Sequence, residues 1–403
     1  MKVLIYAKKS ILKNIGGPQG YLYNINEYLK TTPDLPIYFL PEENFGKIIW
    51  DVISRGPIKL LLDLSEKIFG KNSSISFLLF VFYTFYTRRR HSKKALEYYN
   101  QFDFIHVHDS RKVLTDFYPG CGVTSKIILT SHCPEPLIDE MENNQCPGLF
   151  ARHPKLRNFL LNLEAKAYDY CDNIMFPVRE AREPYENVSL VFKEKFAQNE
   201  HKFFYVPTAL NIIEKDKTNN HVIDLLNISQ DALKICYIGR HNSVKGYDFL
   251  QECAVKLWQT MPNVHFIIGG KEEPLKGLSD PRWHELGWVK TSSLLNEVDV
   301  FVLPNMQTYF DLILLEVLRQ GTPVVLSRTG GNKWFENKNV AGMFFYDDKN
   351  AEQLIEQLNK IKTLKENCLL EYIKTSNMLF FQQEFNMHRY INRYLESLKN
   401  ITK

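Results

Sequence analysis

Three side chains, one carboxylate and two cations, carry most of the chemistry that residue spacing suggests in this chain. Glu316 lies in Thr308-Tyr-Phe-Asp-Leu-Ile-Leu-Leu-Glu316-Val-Leu-Arg-Gln-Gly321. The apolar run predicts a helix with Glu316 in its first turns and a stop at Gly321, after which Thr322–Ser327 reads as a buried strand. A carboxylate near a helix start, at the carboxyl edge of a parallel sheet, suits the hydroxyls of a nucleotide ribose. Arg240 and Lys245 stand five positions apart in Gly239-Arg240-His-Asn-Ser-Val-Lys245-Gly246, just beyond the apolar run ending at Ile238. An arginine offers a planar fork for phosphate oxygens and a lysine a mobile point charge. Together they can neutralise a leaving nucleoside diphosphate without a metal. Taken alone, two surface cations are the plainer reading.

Two further candidates sit earlier in the chain. Gly16-Gly17-Pro-Gln-Gly20 follows the first apolar run and precedes a helical pattern from Tyr21 to Lys30. Glycines there let backbone N–H groups face an anion at the helix's positive end, although such a cluster is often only a turn. His132 stands just past the run Ile127-Ile-Leu-Thr-Ser131, at the strand edge where α/β proteins place functional groups. His106 and His108 alternate along a strand and are expected on opposite faces, which argues against a shared metal. Trp288 and Val289, in Leu286-Gly-Trp-Val289, could border a nucleobase, with core packing the alternative for the tryptophan. No Asp-x-Asp pair is set to hold a metal, and Asp299, at the start of a strand, reads as structural. No metal and no separate cofactor are therefore expected.

The elements that must position these residues form two series. Residues 2–7, 103–108, 126–131, 173–177 and 203–207 read as strands of one parallel sheet. Residues 232–238, 264–269, 298–303 and 323–327 read as strands of a second. Helical patterns between the strands predict two doubly wound α/β domains, and residues 211–229 are the best linker. A length of 403 residues agrees with two cores. With 44% hydrophobic and 24% charged residues the chain is globular, and a net charge of +4 is too small to argue for nucleic acid. Seven scattered cysteines without metal spacing point to a reducing cytoplasm.

One stretch breaks the alternation. Between residues 47 and 94 there are ten Lys or Arg and three acids, a charge of +7 that leaves the rest of the chain slightly acidic. The apolar run Ile75–Thr87 is shorter than the roughly 20 residues a spanning helix needs. Aromatics beside a basic cluster suit a helix lying in the headgroups of an anionic leaflet, against a core helix with a solvated basic end.

The Thr308–Val325 segment resembles the C-terminal signature of family 4 glycosyltransferases, and Gly239-Arg240…Lys245-Gly246 resembles that family's diphosphate-binding motif. The resemblance implies the GT-B arrangement, two Rossmann-like domains facing across a cleft. Residues 1–208 would form the acceptor side, with the insert 45–94 and a returning C-terminal helix 384–403. Residues 209–383 would bind the nucleotide sugar. It implies hexosyl transfer without a metal, with retention. The diphosphate would lie with Arg240, Lys245 and the Gly16-Gly17 loop, the ribose on Glu316, and the base near Trp288 and Val289. Thr308, Asp311, Leu312 and Ile313 would border the donor, and His132, with His108 a weaker candidate, would approach the transferred sugar. Two residues depart from the family pattern: Thr308 replaces the first of two glutamates eight positions apart, and Asp311 replaces a glycine. Either the donor sugar is unusual, a deoxyhexose for example, or the chain is a catalytically silent subunit that binds a nucleotide, a glycan or a partner enzyme. The insert points to a saccharide acceptor that is lipid-linked, in capsule or exopolysaccharide assembly. It would place a peripheral protein on the cytoplasmic face of the plasma membrane.

Overall fold

Short, continuous apolar runs become the central strands of two separate sheets, because a strand buried on both faces has no polar side to alternate with. The computed structural model describes residues 1–13, 16–42, 49–50, 52–212 and 226–402. Two units emerge, one of Met1–Pro177, Pro184–Val206 and the chain from Tyr394, the other of Val178–Glu183 and Pro207–Arg393. The last helix, Met387–Thr402, is thus divided between them at Tyr394 rather than taken whole from residue 384. Most of the linker expected over 211–229 lies outside the described residues.

Unit one holds β1 (Val3–Lys8), β2 (Ile37–Leu40), β3 (Phe104–Val107), β4 (Lys126–Leu129), β5 (Asn173–Phe176) and β6 (Phe203–Tyr205). They pair in parallel in the order β2-β1-β3-β4-β5-β6. Unit two holds β7 (Leu233–Ile238), β8 (Val264–Gly269), β9 (Trp283–Glu285), β10 (Val300–Leu303), β11 (Val324–Ser327) and β12 (Met343–Tyr346). Its order, also all parallel, is β9-β8-β7-β10-β11-β12. Each unit is therefore a Rossmann-like α/β layer. The strand order reverses between β1 and β3 in unit one and between β7 and β10 in unit two. Ligands of such sheets bind at those reversals, beyond the carboxyl ends of the strands. Strands β2, β9 and β12 were not foreseen. They are three or four residues long at or near sheet edges, too short for periodicity to separate them from loops.

The basic insert folds as two helices, Val52–Phe69 and Ser74–Phe85, packed along each other. The apolar run expected in a lipid headgroup layer turns largely inward, with Phe77, Val81 and Phe85 buried. It is Val52–Phe69 that leaves a row of large apolar side chains in solvent: Leu60, Leu61, Leu64 and Ile68 are 44 to 65% exposed. Spacings of three, four and seven put them on one stripe, bordered by exposed Lys59 and Lys67. Nor is the triple arginine a uniformly solvated end. Arg89 reaches the buried Asp116 at 3.1 Å, and Tyr6 donates its hydroxyl to the same carboxylate at 3.0 Å. His91 Nε2 donates to the Asp116 carbonyl, and Arg88 lies over the Tyr118 ring. No helix among the described residues is long and apolar enough to cross a membrane.

Candidate functional site

In unit two, three loops leave the carboxyl ends of β7, β10 and β11 and hold one another. The loop after β7 runs through Arg240, which is exposed, into the turn Ser243–Lys245. Asn242 caps this turn by accepting the Lys245 N–H at 3.0 Å. Gly246 closes it with φ +68°, and a Cβ there would overlap the Pro304 carbonyl oxygen, so only glycine lets the loop after β7 press onto the loop after β10. Met306 then donates its N–H to the Val244 carbonyl at 3.0 Å. From the other side, Thr329 Oγ1 donates to the Met306 carbonyl at 3.1 Å and the Gly331 N–H to the Thr308 carbonyl at 3.3 Å. Gly331 is a second enforced glycine, because a Cβ would overlap the Tyr309 carbonyl.

This packing joins the two cation-motif and carboxylate-motif segments by an ion pair. Lys245 Nζ lies 2.7 and 2.9 Å from the two oxygens of Asp311, and the side chains are 17% and 18% exposed. Asn305, fully buried, also donates to Asp311. Burial by itself would raise the Asp311 carboxyl, but Lys245, Asn305 and Thr308 hold it below its ordinary value, so it is charged. Asn305 was not singled out from the sequence. Its place two residues beyond β10, at the reversal, was the available signal. Asp311 precedes the helix Leu312–Gln320, whose opening residues Leu312 and Ile313 are half-buried. Thr308 is wholly buried, so this hydroxyl does not face solvent.

Glu316 is half-buried on that helix, about one turn in. Burial raises its carboxyl, against the opposing pull of Arg319 and of the nearby Thr291 hydroxyl. Thr291 opens the helix Thr291–Glu297, directly after the Trp288–Val289 segment. Val289 packs on Gly269 at the end of β8, and the Gly270 N–H is bonded to the Gly287 carbonyl at 2.8 Å. Trp288 is 87% exposed, so core packing does not explain it. Asp299 accepts the Lys234 N–H at 2.8 Å and pairs with Lys365 at 2.8 Å, a structural role as read from the sequence.

In unit one, Gly16 and Gly17 open the helix Gly17–Thr31 from an exposed turn, one turn earlier than expected. Pro18 at the helix start explains the difference, its fixed φ being already helical. The register His106↔Ile128 and Val107↔Leu129 sets His108 beside the Thr130–His132 segment. His108 Nδ1 and His132 Nε2 are 2.9 Å apart, and the Tyr21 ring lies over both imidazoles. His106 bonds to Thr130 Oγ1 at 2.7 Å and to the Tyr394 hydroxyl at 2.9 Å. The expectation that His106 and His108 face apart fails. Their rings are 4.2 Å apart, because β3 ends at Val107 and the pleat no longer dictates where His108 points. Burial pushes His106 and His132 down to about 3, His132 adding to the effect on His106. Burial, then His106 and His132, also push His108 far down. All three are neutral imidazoles. Among the described residues no three His, Cys, Asp or Glu side chains are grouped to hold a metal ion.

Comparison with known proteins meets this geometry in the same unit. Residues 232–363 match the family of glycosyl transferases group 1. A 41.2 kDa protein in the cps region of Klebsiella pneumoniae is 21% identical over 318 residues, covering 75% of this chain and 80% of that protein. The lipopolysaccharide core biosynthesis glycosyltransferase LpsE of Rhizobium meliloti is 29% identical over 152 residues, 34% of this chain and 44% of LpsE. The structure of Anabaena HepE in complex with UDP and glucose superposes with a TM-score of 0.59 at 12% identity, covering 99% of both chains. That likeness extends over both units and is one of fold. The chain thus has the GT-B fold, and residues 232–363, within its second unit, match the family of glycosyl transferases group 1.

Proposed function

We propose that the protein transfers a sugar from a nucleoside diphosphate donor to a saccharide acceptor in the assembly of a capsule or another surface polysaccharide, with retention. The observation that carries this reading is the interlock at the β7–β10 reversal. There Gly246 lets the Arg240–Lys245 loop press onto the loop leading to Asp311, with Glu316 on the following helix. In unit two, Arg240 and Lys245 would take the diphosphate, Glu316 the ribose hydroxyls and the Trp288–Val289 segment the base. Cationic side chains then stabilise the leaving group, and the reading needs no metal ion. In unit one, the amide groups at Gly16 and Gly17 would serve the donor's phosphate oxygens, and the imidazole of His132 the reacting sugar. The cps-region setting of the Klebsiella relative and the lipopolysaccharide core role of the Rhizobium one support the polysaccharide setting, and the UDP complex of HepE supports a nucleotide-sugar donor.

The acceptor in this reading is lipid-linked and presented at the cytoplasmic face of an anionic membrane. The Leu60, Leu61, Leu64 and Ile68 stripe would enter the headgroup layer while Lys59 and Lys67 meet its charge. A catalytically silent subunit is the second reading. It is favoured by the buried Thr308 and by the carboxylate of Asp311 on Lys245.

The test is nucleoside diphosphate release from a panel of nucleotide sugars, with lipid-linked acceptor extract and an Arg240→Ala control. Release from one donor that needs the extract and is lost in the control supports the transferase. No release from any donor, with nucleotide still raising the melting temperature, supports the silent subunit. Flotation with vesicles containing anionic lipid, compared between the wild type and Leu64→Glu, tests the membrane face. Equal flotation would refute it.

A further inference from the structure

His132 is the one imidazole of unit one to which the proposed function gives a ligand, and the tertiary structure surrounds it with other imidazoles. Its Nε2 is 2.9 Å from His108 Nδ1, so one ring donates and the other accepts. Two arrangements of neutral rings satisfy that bond. In the first, His108 carries its proton on Nδ1 and donates it, leaving His108 Nε2 as a bare acceptor. In the second, His132 donates from Nε2, and the His108 proton must then sit on its own Nε2. That atom is buried and has no hydrogen-bond partner. An N–H buried without an acceptor is the rarer and costlier orphan. The first arrangement is therefore favoured, and it fixes the proton of His132 on Nδ1.

The surroundings reinforce this assignment. The His106 ring lies 4.2 Å from that of His108 and is itself held at both nitrogens, by Thr130 and Tyr394. Tyr21, almost fully buried, covers His108 and His132 together. His108 thus has little room to turn its ring.

We propose that His108 is a positioning residue: it donates Nδ1–H to His132 Nε2, and so makes His132 a neutral hydrogen-bond donor through Nδ1 with no lone pair left to act as a base. This deepens the proposed function and rests on its placing of His132 at the reacting sugar. Its consequence is that His132 stabilises a ligand oxygen by donation and takes no proton in the transfer. The proton of the acceptor hydroxyl must go elsewhere, to the leaving diphosphate or to solvent.

The experiment is imidazole nitrogen NMR on the full chain labelled at histidine, with the wild type, His108→Asn and His108→Phe. The amide of asparagine puts an N–H where His108 Nδ1 stands, whereas phenylalanine keeps the ring without a donor. The wild type and His108→Asn are expected to show His132 protonated on Nδ1, and His108→Phe a shift towards the Nε2–H form. Transfer is expected to fall about tenfold or more in kcat for His108→Phe and to recover in His108→Asn, with KM for the donor little changed. Matching thermal melts would establish that both variants fold. A wild-type His132 protonated on Nε2 would overturn the proposal, and so would a folded His108→Phe protein with an unchanged His132 tautomer. No transfer by the wild type, with the Nδ1–H tautomer in place, would be the failure of the functional reading and would leave the positioning upheld.

Discussion

Replacing Asp311 by asparagine tests what the Lys245–Asp311 ion pair does to a phosphate site. The carboxylate touches Nζ through both oxygens at 2.7 and 2.9 Å, in a setting where each side chain is less than a fifth exposed. A diphosphate that uses Lys245 must either draw it away or share it with a second anion. A hydrogen bond to a charged group is worth about 1.5–3 kcal/mol net. Asparagine keeps the shape and one acceptor for Lys245 but removes the competing charge. Asp311→Asn should therefore tighten binding of the preferred nucleoside diphosphate by roughly 10- to 100-fold. Stability should fall by about 1–2 kcal/mol, because an ion pair becomes an ordinary hydrogen bond. Lys245→Ala is the contrast: it should weaken nucleotide binding and destabilise by about 2–3 kcal/mol, leaving a mostly buried carboxylate without its counter-ion. Titration calorimetry with uridine, guanosine, adenosine and thymidine diphosphates, at two salt concentrations, measures the first effect, and urea unfolding the second. If folded Asp311→Asn binds no tighter, or more weakly, then Asp311 orients Lys245 rather than screening it, and the competition reasoning fails.

Gly246→Ala should cost about 2–4 kcal/mol in urea unfolding and weaken nucleotide binding at least tenfold, since both the left-handed φ and the Pro304 overlap must be relieved by moving the Lys245 turn. Trp288→Ala should leave stability within about 0.5 kcal/mol, the ring being 87% exposed, and should weaken nucleoside diphosphate but not pyrophosphate binding by about 1–3 kcal/mol. Acid should destabilise unit one through its histidines. His106 and His132 are held near 3, so the unfolded chain binds more protons below about pH 6.5, and their contribution is lost as pH falls from there. Glu164 opposes them. Burial raises it to about 7 despite bonds from the Leu137 and Ile138 amides, and its contribution is present below about pH 4.5 and lost as pH rises through 7. Denaturation at fixed urea between pH 7.5 and 5 should show stability falling with acid, and more steeply in Glu164→Gln by about 1.4 kcal/mol per pH unit. An equal slope would refute the assignment of Glu164.

Much of the architecture was legible in the chain because it rests on local rules. The buried strands announce themselves as four- to six-residue apolar runs, and the glycine after Arg240…Lys245 and the helix carrying Glu316 lie within contiguous segments. Those features determine two doubly wound α/β units and put the cations and the carboxylate after the right strands. What only the tertiary structure decided depends on partners far apart in sequence. Lys245 meets Asp311 across 66 residues, because parallel strands β7 and β10 are neighbours only at the reversal of strand order. The His108–His132 bond follows from the register of β3 on β4, and the alternation of a strand cannot foresee a ring just past its end. Composition marked residues 47–94 as basic and aromatic, but the sequence does not say which helix face will find a partner. Packing took Phe77, Val81 and Phe85 inward and left Leu60, Leu64 and Ile68 in water. Local spacing determines which residues share a face or an end. Burial, and the pairing of charges with it, belongs to the assembled unit, because desolvation depends on every element that closes around the group.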